Sequence, residues 1–413
     1  MSVSDIILAA GKIIKPIIYT ASSYTNSSNG SYEAVEAVCG MDGYIGFAGS
    51  IVNDKITQTP TMIIFGKINN DTGTISSPSA GWYNSIWTST VYQLLSDVAG
   101  TALIILLRDP YSKLVLIKYD AASSEVAKID IGAGSGGYMK ADKSNNIFVC
   151  VDTSLSFIKL NPAANSILLQ IAVSGATSPS SHDIAIDATG NIYLSGKVTV
   201  SSVNYGVLLK FSPTGSILWQ KIFTSTANTN TKLVVSLNCV YLTNDGVLFK
   251  LDTSGNIMWQ KSTPSNPSNP AIDNYDNVYI SSYASSAGSN ILKIGTEGNV
   301  IWQRILGPAW VNIKCMTVDA FSDSLLVGGT AGGGQNNGFV IRLPLDGSKT
   351  GFNTPTDGLT CGISNITPGT PTYTNSNTSF TASSSTTITI TNNTTFMFLS
   401  YIPYLSSTSA AVI

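Results

Sequence analysis

The sequence predicts an all-β fold: a seven-bladed β-propeller of four-stranded blades with a C-terminal β appendage. Three observations predict it. A basic residue recurs at one place in seven strand–turn copies, as Lys67, Lys118, Lys159, Lys210, Lys250, Lys293 and Arg342. An aspartate recurs in a second register, as Asp97, Asp142, Asp187, Asp273 and Asp319, with Asp42 similarly placed in the first copy. Both columns step by roughly 46 residues or a multiple of it, the length of one four-stranded blade.

The fourth copy, Asp183–Phe223, is the most complete. It reads as an apolar strand ending at Asp187, a turn over 188–190, strands over 191–196 and 206–211, a Pro-Thr-Gly turn, and a last strand over 216–223. Each strand is a short β-branched and aromatic run bounded by Gly, Asn, Asp or Pro. The fifth copy departs from the pattern, because LNCVYLTNDG has a shortened turn where the aspartate should stand. The seventh copy, FVIRLPLDG, lacks a fourth strand. Residues Lys15–Thr20 supply one when aligned with Trp219–Thr224, so the first and last segments share a blade and close the ring. Residues 1–30 are read as this closing segment, 31–350 as the propeller and 351–413 as the appendage.

The appendage is rich in Ser and Thr and carries one charged residue, Asp357. Alternation over Thr386–Thr391 predicts a strand, Asn392-Asn393 a turn and Thr394–Leu399 a returning strand. A lone hairpin is marginal in water, so it should pack on the propeller or pair with another chain.

Composition excludes several functions. Only 11% of residues are charged and the net charge is −2, so no basic surface for nucleic acid is expected. One histidine, His182, rules out multi-histidine metal sites and reads as a surface loop residue. The five cysteines have no CxxC spacing and read as buried thiols. No P-loop, GxSxG or HExxH element is present, and no catalytic residue, metal or cofactor is expected. Asp5 stands where a secretory signal would be positive, and no apolar run would cross a membrane, so folding in a cytoplasm without membrane insertion is expected.

The repeated residues are read structurally. The basic column should pack its stems on the next blade, with each head finding a carboxylate or solvent. Trp219, Trp259 and Trp302 form a column that should pack between blades. The aspartates should accept backbone N–H groups two residues on, since their spacing is not that of a calcium loop. Trp82, Trp87 and Trp310 lie outside these columns, in connecting segments, and are the candidate binding residues. The long loops 51–61, 198–205, 283–290 and 330–337 are candidates with them.

The fourth copy, IAIDATGNIYLSGKV followed by GVLLKFSPTGSILWQKIF, resembles the bacterial seven-bladed β-propeller repeat family. The ending FVIRLPLDGSKTG with a Thr/Ser-rich tail resembles propellers of tailed-phage virion proteins. That resemblance implies a non-enzymatic tail, fibre or decoration component. It would fold in the host cytoplasm, reside in the virion and be oligomeric on the particle. Its partners would be other virion proteins and a host-surface glycan or protein. The tail, with residues 1–14, would attach it. The alternatives are a bacterial carbohydrate-binding propeller and a polysaccharide-degrading propeller enzyme, the latter needing two carboxylates facing each other.

Overall fold

The computed structural model describes residues 17–21, 31–53, 61–69, 75–76, 83–85, 90–109, 111–122, 124–224, 231–244, 246–262, 270–284, 288–307, 311–331, 337–348 and five short pieces, 360–363, 375–377, 381–384, 391–392 and 411–412. Among these residues every regular element is a strand, and the strands fall into seven antiparallel sheets.

Strand β1 (Ile17–Ala21) precedes the first blade. Blade 1 is β2 (Ser31–Met41), β3 (Tyr44–Asn53), β4 (Thr61–Asn69) and β5 (Ile75–Ser76), with β6 (Tyr83–Ser85) also on β4. Blade 2 is β7 (Thr90–Ser96), β8 (Leu103–Arg108), β9 (Lys113–Tyr119) and β10 (Glu125–Ala133). Blade 3 is β11 (Gly137–Ala141), β12 (Ile147–Val151), β13 (Ser156–Leu160) and β14 (Ile167–Ser174). Blade 4 is β15 (Thr177–Ile186), β16 (Ile192–Val200), β17 (Val203–Phe211) and β18 (Ile217–Thr224). Blade 5 is β19 (Lys232–Val235), β20 (Cys239–Asn244), β21 (Val247–Asp252) and β22 (Ile257–Ser262). Blade 6 is β23 (Ala271–Ile272), β24 (Val278–Ala284), β25 (Gly288–Ile294) and β26 (Val300–Gly307). Blade 7 is β27 (Asn312–Asp319), β28 (Ser324–Ala331), β29 (Asn337–Pro344) and, in the fourth place, β1.

The middle strands of a blade have neighbours on both faces, so they read as unbroken apolar runs. β12 and β28 are buried at every residue, whereas the outer β14 mixes exposed and buried positions. The core therefore lies in layers between blades. One layer joins Phe148 and Phe157 of blade 3 to Ile184, Leu209 and Phe211 of blade 4, with the Phe157 and Phe211 rings edge-on at 5.2 Å.

The ring closes as the sequence implies, with one correction. Ile18 pairs with Ile341 and Ala21 with Gly338. In blade 4 the equivalent partners of Leu209 and Gly206 are Gln220 and Phe223. The closing strand thus sits two residues away from the sequence alignment. A shift of two keeps every side chain on its own face, so alternation could not reveal it. Nor is β1 outermost, because Ala411 and Val412 pair with its free edge.

The described pieces of the C-terminal segment add to blade edges, and of the expected hairpin only Thr391 and Asn392 are among them. β30 (Thr360–Ile363) joins blade 6, β31 (Asn375–Asn377) blade 4, β32 (Thr381–Ser384) blade 3, β33 (Thr391–Asn392) blade 2 and β34 (Ala411–Val412) blade 7. Asn392, expected in a turn, is a strand residue opposite Ile129. The expected return strand, 394–399, lies outside the described residues. The blade edges offer ready rows of N–H and C=O groups to which such short strands can pair.

The two columns tie five of the blades to the next. Lys210 Nζ and Trp219 Nε1 both donate to Thr253 O, each at 3.0 Å. Lys250 and Trp259 converge on Thr296 O at 2.8 Å, and Lys293 and Trp302 on Leu345 O at 3.1 and 2.9 Å. Lys67 reaches Ala121 O and Lys118 reaches Pro162 O. The acceptor is thus a main-chain carbonyl in the following blade, where a carboxylate or solvent was expected. A carboxylate adds to the carbonyl at Lys293, 3.0 Å from Asp273, and at Lys159 the partner is the expected carboxylate, Asp142 of its own blade at 3.6 Å. A buried ammonium needs this: Lys210 and Lys293 are each 8% exposed and lie 5.1 Å from the ring centroids of Tyr193 and Tyr279.

The aspartates cap the inner turns. Asp187 Oδ1 accepts the N–H groups of Thr189 and Asn191, each at 2.9 Å. Burial works to raise its pKa, but the donors of Thr189 and Asn191 outweigh it and hold the carboxyl below its usual range. In the degenerate fifth blade Ser236 takes this role, its Oγ accepting from Asn238 and Cys239 N–H at 3.1 Å.

Lys250→Met keeps the stem and removes the donor to Thr296 O, so stability should fall by about 1.5–3 kcal/mol in guanidinium unfolding, the usual worth of a hydrogen bond to a charged group. Gly347 has φ +69° and an added Cβ would stand 2.8 Å from the Trp302 ring. Gly347→Ala should therefore cost about 1–3 kcal/mol in the same measurement, from backbone strain and overpacking together.

Candidate functional site

Antiparallel order puts the turns between first and second strands, and between third and fourth, on one face of the ring. The second-to-third-strand turns and the blade-to-blade connections begin and end at the other. The candidate tryptophans belong to such connections. Trp82, Trp87 and Trp310 themselves lie outside the described residues, and the structure does not test them. Exposed aromatic side chains at this face are Tyr111, 73% exposed between β8 and β9, and Tyr283 near the end of β24.

The expected long loop over 198–205 is not a loop. β16 and β17 stay paired out to Val200 and Val203. Ser201 and Ser202 make a two-residue turn, with φ of 50° and 66°. The β-branched run Val198-Thr199-Val200 extends the ladder, and two positive φ values match the twist of a tight hairpin. Strands likewise extend into the other expected loops, to Asn53, Ala284 and Ala331, leaving 54–60, 285–287 and 332–336 outside the described residues.

The seven innermost strands enclose a central channel of about 470 Å³. Near its loop-face mouth four of them carry a β-bulge at one register. The extra residues are Glu36, Tyr92, His182 and Lys314. The residue after each of three bulges bonds the next blade. Gln93 Oε1 accepts Met139 N–H, Asp183 Oδ2 accepts Leu233 N–H at 3.0 Å, and Cys315 Sγ–H points to Val35 O at 3.9 Å. Tyr92 and His182 also reach forward, the first donating its hydroxyl to Ser135 O. These bulges re-aim side chains into an inner ring of stitches. His182, Tyr92 and Lys314 each stand five places before their column aspartate, a signal the sequence carried once that column was aligned.

His182 is therefore not the surface loop residue expected. Its Nδ1 accepts Thr231 N–H at 3.3 Å and lies 3.4 Å from Thr231 Oγ1. Burial, with Lys232 and Lys197 nearby, pushes its pKa down to about 4. A base beside a hydroxyl suggests nucleophilic chemistry, but Thr231 is 0% exposed, so a substrate has no approach. Lys232 completes the cluster, with Nζ 2.9 Å from His182 O and 3.3 Å from the Tyr138 ring centroid. Burial pushes its pKa down to about 8 against the pull of Asp183 and Cys150.

Four carboxylates line the channel: Glu36, Asp142, Asp183 and Asp319. Three hold backbone N–H groups, Asp142 from Ser144, Asp183 from Ile184 and Asp319 from Phe321. Glu36 has its pKa raised by burial, with Lys314 opposing. Two uncommitted carboxylates facing each other, as glycoside cleavage requires, are not found among these four. No group of three His, Cys, Asp or Glu able to hold a metal occurs among the described residues. Cys39, Cys150, Cys239 and Cys315 are buried free thiols, and burial raises the pKa of each.

No protein-family model matches the chain, and no curated protein matches it. Solved structures do, with 317 matching chains. One, from the crystal structure of a mitotic checkpoint complex, shares 8% identity at a TM-score of 0.52, covering 78% of this chain and 95% of its own. Another, Raptor from Chaetomium thermophilum, shares 9% identity at a TM-score of 0.50 over 80% of this chain, which spans 29% of the Raptor chain. Such identities show the fold alone. The chain is a seven-bladed β-propeller.

His182 is held neutral down to about pH 4, while an unfolded histidine binds its proton near 6.5. The unfolded state binds more protons across that window, so stability should fall as pH drops from 6.5 towards 4, by on the order of 2–3 kcal/mol. Denaturation midpoints measured at both pH values should show this loss shrink in His182→Gln.

Proposed function

We propose that the chain is a non-enzymatic structural protein of a tailed-phage virion, in the tail, fibre or decoration class, and that its propeller is a rigid scaffold for contact. The repeat and the Ser/Thr-rich ending carry the virion part by resemblance. The scaffold part rests on one observation: four of the channel-mouth groups that could do chemistry are committed to joining blades. His182, Asp183, Gln93 and Tyr92 each bond the next blade or the connection entering it. A pre-ordered ring presents its connections at little entropic cost, and many copies add avidity.

A glycan-binding reading of the loop face has support of its own. Tyr111 and Tyr283 are exposed there, at the face where the connections holding Trp82, Trp87 and Trp310 begin and end. Exposed aromatic faces suit the apolar face of a sugar ring.

An antibody against this chain, imaged on purified phage particles, should label the tail, fibres, collar or capsid surface. Absence from every particle would sink the virion reading. With the label on tail or fibres, binding to host-cell glycans should drop at least tenfold in the triple variant Trp82→Ala, Trp87→Ala, Trp310→Ala. Unchanged binding would move the contact elsewhere on the ring.

A further inference from the structure

We propose that the C-terminal segment is a girdle that sets how fast the propeller unfolds. Its five strands fall on blades 6, 4, 3, 2 and 7 in that order, while the blades themselves run in the opposite sense along the chain. Every one of them adds to the outer edge of its sheet, against β26, β18, β14, β10 and β1.

The outer strand is where a blade is weakest. It has a partner on one side only, and its side chains mix exposed with buried, so local opening begins there. A fifth strand moves that edge outward. β14 gains partners for Ile171 to Ser174, and β18 for Lys221 to Phe223. β1 gains most, since among the described residues its pairing to β29 is the ladder that closes the ring. With Ala411 and Val412 on its other side it is an internal strand.

Because the five strands belong to one continuous segment, none of blades 2, 3, 4, 6 and 7 can leave the ring outward without stripping one of them. Such contacts slow unfolding when they are lost before the transition state of unfolding is reached. The girdle forms last, since β1 can enter blade 7 only after β29 exists and the segment follows β29. Its described strands take up blade edges.

The full-length chain carrying Ala172→Cys and Ser383→Cys, in a Cys361→Ser background, tests this. Residues 172 and 383 are paired across β14 and β32, and either kind of antiparallel pair brings Cα atoms within disulfide reach. Oxidation should give a bond within one chain and slow unfolding in guanidinium at least tenfold relative to the same protein reduced. Any effect of the crosslink on the unfolded chain appears mainly in refolding, so the unfolding rate is the readout. A bond between chains, no bond, or an unchanged unfolding rate overturns the proposal. Ser383→Pro, which disrupts β32 and leaves the blades untouched, should speed unfolding at least fivefold; an unchanged rate would also overturn it.

Discussion

One carbonyl oxygen at each of three boundaries between blades gathers the forces that hold the outer layer of the ring there. Thr253 O, Thr296 O and Leu345 O each receive an ammonium and an indole N–H from the blade before. The geometry follows from the strand ladders. Tyr193 pairs with Lys210 and Lys210 with Trp219, so an aromatic, a cation and an aromatic stand in a row across three strands. The row places both donors at one height. The opposing turn must come close to meet them, which is why Gly255, Gly298 and Gly347 stand against the indoles with positive φ. Remove the carbonyl's approach and the lysine is a buried charge without an acceptor, a far larger loss than one hydrogen bond.

The inner layer solves the same problem differently. Bulges in β2, β7, β15 and β27 turn one side chain out of the pleat, and in the last three the next residue bonds the neighbouring blade. The outer clamps repeat one chemistry, but the inner ones vary, using Gln93, Asp183 and Cys315 at the same place. Variation is tolerated because each inner stitch needs only a partner for one backbone group. The outer clamp must neutralise a charge in a dry layer. Lys232 is the inner exception, and its Tyr138 ring, His182 carbonyl and nearby Asp183 supply together what a single carbonyl supplies outside.

Blade architecture and rim then divide the work. Apolar layers and clamps fix the ring, and the described C-terminal strands occupy blade edges. A protein built this way resists separation of its parts without disulfides, which accords with its free buried cysteines.

The sequence by itself determined what repeats. Seven copies, the four-strand unit, the capping aspartates, the packed tryptophans and a shared closing blade all follow from periodic spacing, because each is a local requirement met once per blade. Tertiary structure decided what depends on two distant segments meeting. The closing register shifted by two without a change of face, and Lys210 found a carbonyl forty-three residues ahead in place of a carboxylate. His182 became an inner stitch, since a bulge buried a residue that local sequence leaves in a loop. The described pieces of the tail lie on five blade edges, which offer unpaired N–H and C=O groups to a further strand. Edges exist only once the blades have formed, so no local pattern in the tail could have announced them.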